Sequence, residues 1–406
     1  MTVPTFRPSP AADGPIAVDS PDLAALLRVI ADGAAARERG EASAVEAIGL
    51  VRGARLGAFR LPRDEGGSGG SLRDLYEIVI ALGEADSNIP HILRNHFAFV
   101  ERALRNRGAA GYDGWLAAIR AGRLFGLGAS ELGTQNIGDG TSETLLAPHG
   151  DGYRLSGRKY YSTGNLYADL LFINARTPEG ERVAAIIPAD RPGVDLTDDW
   201  DGIGQRLTAS GTTVLDDVAV AADEVVPLAQ ERRVPHEATF QQLYLTAIIA
   251  GILRAVVRDA AALLTSRPRN YYHAVADKPA EDPLLQEILG RLAGTAYVAE
   301  AAVLRAAEAL ELAFDSALAG PPDEALFREA ALRAAKAKVV VDDLALNAAT
   351  RLFEVGGASA ATQSAGLDRH WRNIRTISSH NPVAYKARAI GRHVLDGTPL
   401  PAAAFF

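Results

Sequence analysis

His380 stands in the tetrapeptide Ser379-His380-Asn381-Pro382, inside an otherwise helix-patterned stretch from Arg369 to Gly397. Pro382 has no backbone donor and turns Asn381 away from helical geometry, so the chain must break there and restart. A break inside a buried helical layer turns side chains toward a cavity. An imidazole so placed can donate a hydrogen bond or exchange a proton near neutral pH. No Asp or Glu occurs between Arg369 and Leu395, so this segment offers no carboxylate base for abstracting a carbon-bound proton. Asn95 and His96, in Arg94-Asn95-His96-Phe97-Ala98-Phe99, form a second candidate pair on a helix-patterned stretch. Each histidine also has a plain reading: a helix histidine is commonly an interior residue, and one at a proline break can simply cap the interrupted helix. His91, His149, His236, His273, His370 and His393 lack metal-type spacing and read as structural or solvated.

These side chains need elements to hold them, and 406 residues are too many for one simple core. Residues 1–121 carry helical periodicity, with Ser20 and Pro21 at cap and first-turn positions before the apolar run Leu23 to Ile30. Across residues 122–230 that periodicity disappears, and short runs rich in Val, Ile, Tyr and Thr alternate with turns such as Gly150-Asp151-Gly152. Residues 231–406 return to long Ala, Leu and Val runs with charges on one face, too apolar to stand alone. The expectation is an α+β chain with an N-terminal helical domain, a central β-barrel-like domain and a C-terminal helical bundle. The glycines between Gly66 and Gly70 lack the Lys and Ser or Thr of a phosphate loop and read as a structural loop.

Composition narrows the function. Without cysteine there is no thiol catalysis, disulfide or Cys-ligated metal. A net charge of −8 without a basic tract argues against nucleic acid. No run approaches a membrane span, and MTVPTFRPSP lacks the features of a secretory signal, so a soluble cytoplasmic protein is expected.

Several runs resemble the acyl-CoA dehydrogenase superfamily. Gly126-Leu127-Gly128-Ala129-Ser130-Glu131 is similar to the Ala-Leu-Thr-Glu-Pro run that lines the flavin pyrimidine edge. Gly157-Arg158-Lys159-Tyr160-Tyr161-Ser162-Thr163-Gly164 resembles the Gly-x-Lys-x-Trp-Ile-Thr-Asn segment. The resemblance puts Tyr161 against the flavin ring, Ser162 beside it and Thr163 at the N5 edge. Dehydrogenases carry a Tyr-Glu-Gly-Thr base motif where this chain has the His380 break, and an Arg-x-x-Phe-Gly-x-Pro segment where it has Ser266-Arg267-Pro268-Arg269-Asn270. Those departures, with the blocks from Trp200 to Thr212, Arg369 to Asn373 and His380 to Val383, resemble the sulfur-oxidising flavin monooxygenases of the dibenzothiophene and dimethyl-sulfone group.

What that resemblance implies is specific. Reduced FMN, rather than FAD, would be supplied by a separate NAD(P)H flavin reductase, and Arg267 and Arg269 would clamp its phosphate. Oxygen would enter a small organosulfur substrate through a flavin C4a-hydroperoxide. His380, His96 and Thr163 would be the catalytic candidates; Asn95, His96 and Trp200 would face the substrate; and the chain would form a homotetramer. Amine N-hydroxylation and aromatic or indole hydroxylation are alternatives on the same fold; a dehydrogenase with another base and a non-catalytic scaffold are the remaining ones.

Overall fold

The computed structural model describes residues 16–132, 142–404 and 406, so the N-terminal stretch MTVPTFRPSP lies outside the described residues. Five helices come first: α1 (Pro21–Glu38), α2 (Val45–Gly53), α3 (Leu72–Ala85), α4 (Asn88–Arg105) and α5 (Tyr112–Arg120). Ser20 caps α1 by accepting from the Leu23 N–H, and Ser71 and Asp74 form a reciprocal capping box on α3. The strands are β1 (Phe125–Gly128), β2 (Leu145–His149), β3 (Gly152–Lys159), β4 (Leu170–Arg176), β5 (Arg182–Pro188), β6 (Val194–Thr197), β7 (Thr212–Val220) and β8 (Val225–Val226). They make one sheet in the order β6-β7-β3-β2-β4-β5-β8, with β1 alongside β4; the β1–β4 and β2–β4 pairs are parallel and the others antiparallel. The last part comprises α6 (Thr239–Ser266), α7 (Pro283–Ala319), α8 (Glu324–Gly356), α9 (Asp368–Ser378) and α10 (Val383–Asp396).

The helices before and after the sheet share one apolar core. Leu26, Tyr76 and Val79 belong to the same buried cluster as Leu253, Leu310, Val341 and Ile377. At the crossing of α3 and α6 the backbones nearly touch, and a Cβ on Gly251 would collide with the Ile80 carbonyl oxygen. Alternation along β4 divides the sheet's two faces: Leu171 and Ile173 enter one cluster within the β layer, while Phe172 enters another with Phe99, Tyr112 and Leu116 from α4 and α5. Helix α4 therefore lies between sheet and bundle, buried on nearly every side.

The proline break forms where the sequence places it. Helix α9 ends at Ser378, residues 379–382 turn, and α10 begins at Val383. Buried Lys338 donates to the Ser378 carbonyl at 3.2 Å, a cation satisfying a helix C-terminus, while Asp342 neutralises it at 2.7 Å. Residues 66–70 form a structural loop whose amides bond carbonyls of the segment just before it: Gly67 N–H reaches Pro62 and Gly69 N–H reaches Leu61. Among the described residues no helix is long and apolar enough to cross a membrane, and no three His, Cys, Asp or Glu side chains gather as a metal site.

Candidate functional site

His91, Arg94 and Asn95 share one face of α4 at spacings of three and four residues. Asn95 donates through Nδ2 to the Thr163 carbonyl at 2.9 Å, and His91 Nδ1 meets Gln205 Oε1 at 3.0 Å. Arg94 NH1 meets His380 Nε2 at 3.3 Å. One helical face thus joins the β-domain turns around Thr163 and Gln205 to the break between α9 and α10.

The Tyr160–Gly164 turn packs on α4 because Gly164, at φ 84°, has no side chain; a Cβ there would collide with the Ile92 carbonyl oxygen. Tyr161 (φ 55°), Gln205 (φ 53°) and Ala209 (φ 46°) are also left-handed, a conformation that costs side-chain-bearing residues roughly 1–2 kcal/mol each. Three such residues lie in the two β-domain turns that reach α4. The Tyr161 ring is exposed and stands edge-on to half-buried Trp200, whose indole N–H donates to the Gln205 carbonyl at 3.0 Å. Ser162 is buried, and its Oγ has no hydrogen-bond partner among the described residues. Half-buried Ala129 and Ser130 sit alongside, joined through Tyr160 N–H to Ser130 O at 2.9 Å. Glu131 and buried Lys159 pair at 2.5 Å; the lysine and hydrogen bonds from Ser142 and Thr144 hold the carboxyl down at about 2 despite burial.

Proton counting fixes the direction of a hydroxyl chain. Thr208 spends its single hydroxyl hydrogen on the Gln205 carbonyl at 2.8 Å. Ser210 must therefore donate to Thr208, and Thr163 must donate to Ser210, each across 2.8 Å. What Thr163 Oγ1 presents to any further group is lone pairs. Its chemistry at the site is that of an acceptor.

His380 is likewise fixed by its neighbour. A guanidinium has no acceptor, so His380 Nε2 accepts from Arg94 and the ring proton resides on Nδ1, which is shielded from solvent. Burial, then Arg94 and His91, hold its pKa well below the usual histidine range. Burial and Arg94 likewise bring His91 down to about 3. Both rings are neutral at pH 7, so His380 works as a hydrogen-bond donor and does not titrate there. Burial lowers Arg94 to about 10, and it keeps its charge.

His96 is turned away. It lies two residues beyond Arg94, roughly 200° around the helix. Its Nε2–H donates to the Gly57 carbonyl at 2.9 Å, its Nδ1 accepts from Phe125 N–H at 3.2 Å, and burial brings its pKa to about 4. Neither nitrogen is left for a substrate. Arg267 donates to the Val355 carbonyl at 2.9 Å, and Arg269 is exposed. Both lie just past α6, whose axis separates Arg267 from Gln242, the partner of Asn381, by roughly 37 Å. One chain does not bring these arginines to the His380 end of the site. His91, Gln205, Thr208, Ser210 and Tyr244 carry no assignment from sequence reasoning, and His91 reads there as structural or solvated. The signal that finds His91 and Arg94 is their polar spacing with Asn95 on an otherwise core-facing helix.

A family model described as acyl-CoA dehydrogenase, C-terminal domain, matches residues 243–385. The dibenzothiophene monooxygenase of Mycolicibacterium goodii is 30% identical over 387 residues, covering 90% of this chain and 91% of that one. The chain belongs to the flavin-dependent monooxygenase branch of the acyl-CoA dehydrogenase superfamily. Solved members of the branch superpose along nearly the whole chain. FMN-bound TdsC from Paenibacillus sp. A11-2 has a TM-score of 0.85 at 27% identity, covering 95% of this chain and 98% of that one. The methanesulfinate monooxygenase of Pseudomonas fluorescens has a TM-score of 0.85 at 26% identity, with the same coverage. As a member of this branch the chain is an oxidoreductase.

Proposed function

We propose that the chain is a two-component, cytoplasmic monooxygenase that takes reduced FMN from a separate NAD(P)H flavin reductase and inserts one atom of dioxygen at the sulfur of a small organosulfur compound. The carrying observation is that neighbouring residues of α4 tether both sides of the site, Asn95 holding the turn that carries Ser162 and the Thr163 acceptor beside the exposed Tyr161 ring, and Arg94 holding the neutral ring of His380 at the helix break. Asp342, whose partner Lys338 bonds the Ser378 carbonyl at the break, is paired with that lysine. That set lacks the base a dehydrogenase needs and suits a flavin site with a donor for transferred oxygen.

The residues fit the cofactor. Tyr161 would wall the ring, Ala129 and Ser130 its pyrimidine edge, and Ser162 would supply a desolvated hydroxyl, unpaired among the described residues. Thr163, as an acceptor, matches the N–H edge of a reduced ring and mismatches the lone pair of an oxidised one. Reduced FMN, when bound, supplies two electrons to dioxygen, so that one oxygen atom enters the substrate and the other leaves as water. His380 holds its proton at Nδ1 and donates a hydrogen bond toward the oxygen being transferred. Asn95 positions Thr163 through its carbonyl, and Trp200 backs Tyr161 on the substrate side. His96 has no part in this reading beyond tying α4 to Gly57 and Phe125. Arg267 and Arg269 fit a phosphate only when supplied by a second copy, which agrees with a homotetramer. FMN is favoured over FAD because the adenine-binding segment of the dehydrogenases is replaced.

The test is a product assay with reduced FMN and air supplied to thioethers, sulfoxides, sulfones, sulfinates, amines and indole. A gain of one oxygen on a sulfur compound is expected. Gain only on an amine or on indole would transfer the reading to N- or C-hydroxylation, and flavin bleaching by an acyl-CoA would select a dehydrogenase.

A further inference from the structure

Arg94 is a buried cation without a carboxylate. Its relative exposure is 9%, it makes no ion pair among the described residues, and its polar contact is the neutral His380 ring. Its Nε–H is buried and donates to no group among the described residues. Tyr244, fully buried on α6, stands with its ring 6.3 Å from that of Phe97, one turn along α4 from Arg94, close enough for Tyr244 and Arg94 each to influence the other's ionisation, and its hydroxyl has no hydrogen-bond partner among the described residues. Two buried donors left open beside one another are costly for a protein that never fills them, because buried charges are normally paired. The other charges around the break do not compensate. Lys338 is matched by Asp342, and Lys386 lies over the Phe406 ring. An oxygen anion would satisfy both donors and the charge at once.

We propose that Arg94 and Tyr244 form an oxyanion subsite and that the substrate is a small anionic organosulfur compound bearing a sulfinate group. This identification rests on the sulfur monooxygenase reading; the anion subsite itself does not. A sulfinate presents two oxygens to the donors and keeps a lone pair on sulfur next to His380. Gain of one oxygen at that sulfur yields the sulfonate, with the two electrons from reduced FMN and the second oxygen atom released as water.

Calorimetric titration of the flavin-free protein with methanesulfinate and with dimethyl sulfoxide, its neutral near-isostere, separates the two claims, because binding needs neither flavin nor oxygen. Methanesulfinate is expected to bind at least about tenfold tighter than the sulfoxide, as hydrogen bonds to a charged group are worth roughly that or more. Arg94→Met should lose the sulfinate by roughly 10–100-fold and leave the sulfoxide unchanged. It should also melt at the same or a higher temperature without ligand, since it removes an unpaired buried charge. A residue with only a structural role would show the reverse, a lower melting temperature with anion preference intact. Tyr244→Phe, which deletes a single hydroxyl, should weaken the sulfinate alone and serves if Arg94→Met fails to fold. Equal binding of the two ligands, or a sulfinate affinity that neither substitution changes, overturns the subsite. Anion binding that passes this test while no sulfur compound gains oxygen leaves the subsite standing and removes the sulfur monooxygenase reading.

Discussion

At residue 380 the imidazole gives its Nε2 lone pair to Arg94 and keeps its proton on Nδ1, so its proposed contribution is a hydrogen bond and not a titration. His380→Ala should therefore bind flavin yet release hydrogen peroxide in place of product, with turnover to product falling on the order of a hundredfold. His380→Asn, whose amide places a donor near Nδ1, should recover much of that loss. Peroxide and product counted together decide between the roles; a loss in the Asn variant as deep as in Ala would point to proton transfer. The hydroxyl chain gives a second expectation. Ser210→Ala leaves the Thr163 hydroxyl free to rotate and donate, so the preference for reduced over oxidised FMN should narrow by about tenfold, one hydrogen bond's worth. Anaerobic and aerobic titrations of the same protein measure it, and an unchanged ratio would break the link between the chain and the flavin. Tyr161, Ser162 and Thr163 are legible in the sequence because their segment is contiguous. Arg94 is visible there as a letter but its isolation is not, since a missing carboxylate partner is a property of three-dimensional neighbours.

Helix α4 sets which polar residues meet, and its periodicity explains the misplacement of His96. Around the helix Arg94 and Asn95 lie within about 60° of His91, whereas His96 lies about 140° from it and ends in different surroundings. The break between α9 and α10 follows directly from Pro382, whereas the two β-domain turns depend on left-handed residues such as Gln205 and Ala209, whose types do not announce that conformation. The buried histidines carry a stability signature. His91 and His96 have folded pKa values of about 3 and 4, below the unfolded value, so above pH 6.5 both states are neutral and nothing is lost. As pH falls below 6.5 the unfolded chain takes up protons that the native one refuses, costing about 1.4 kcal/mol per histidine by pH 5.5. Glu131 and Asp259, both held at about 2, act only further down, below the ordinary carboxylate range. Urea unfolding at pH 8 and pH 5.5 should show that loss. His96→Ala should be less stable at pH 8 by roughly 1–3 kcal/mol, from the unpaired Gly57 and Phe125 groups, but should lose less on acidification. Turnover per folded site should be unchanged, and a large fall would return His96 to the catalytic set.

For the whole molecule, three segments of texture are legible in the sequence, but the single core shared by the first and last of them is not. Contacts such as that between Tyr76 O–H and the Phe240 carbonyl join residues 164 positions apart, which no local pattern encodes. Assembly is the corresponding proposal at this scale. If Arg267 and Arg269 serve the flavin phosphate of a neighbouring copy, light scattering should show a tetramer, and replacing both with Ala should weaken FMN binding while leaving the fold intact; a stable monomer that binds FMN normally would refute the shared clamp. The most direct test of the central claim follows one oxygen atom. Protein mixed anaerobically with one equivalent of reduced FMN and methanesulfinate, then exposed to ¹⁸O₂, should yield a sulfonate carrying one ¹⁸O for each flavin oxidised, with little hydrogen peroxide. Flavin oxidation that returns all of its electrons as hydrogen peroxide, with no label in this or any other organosulfur compound, would contradict the account.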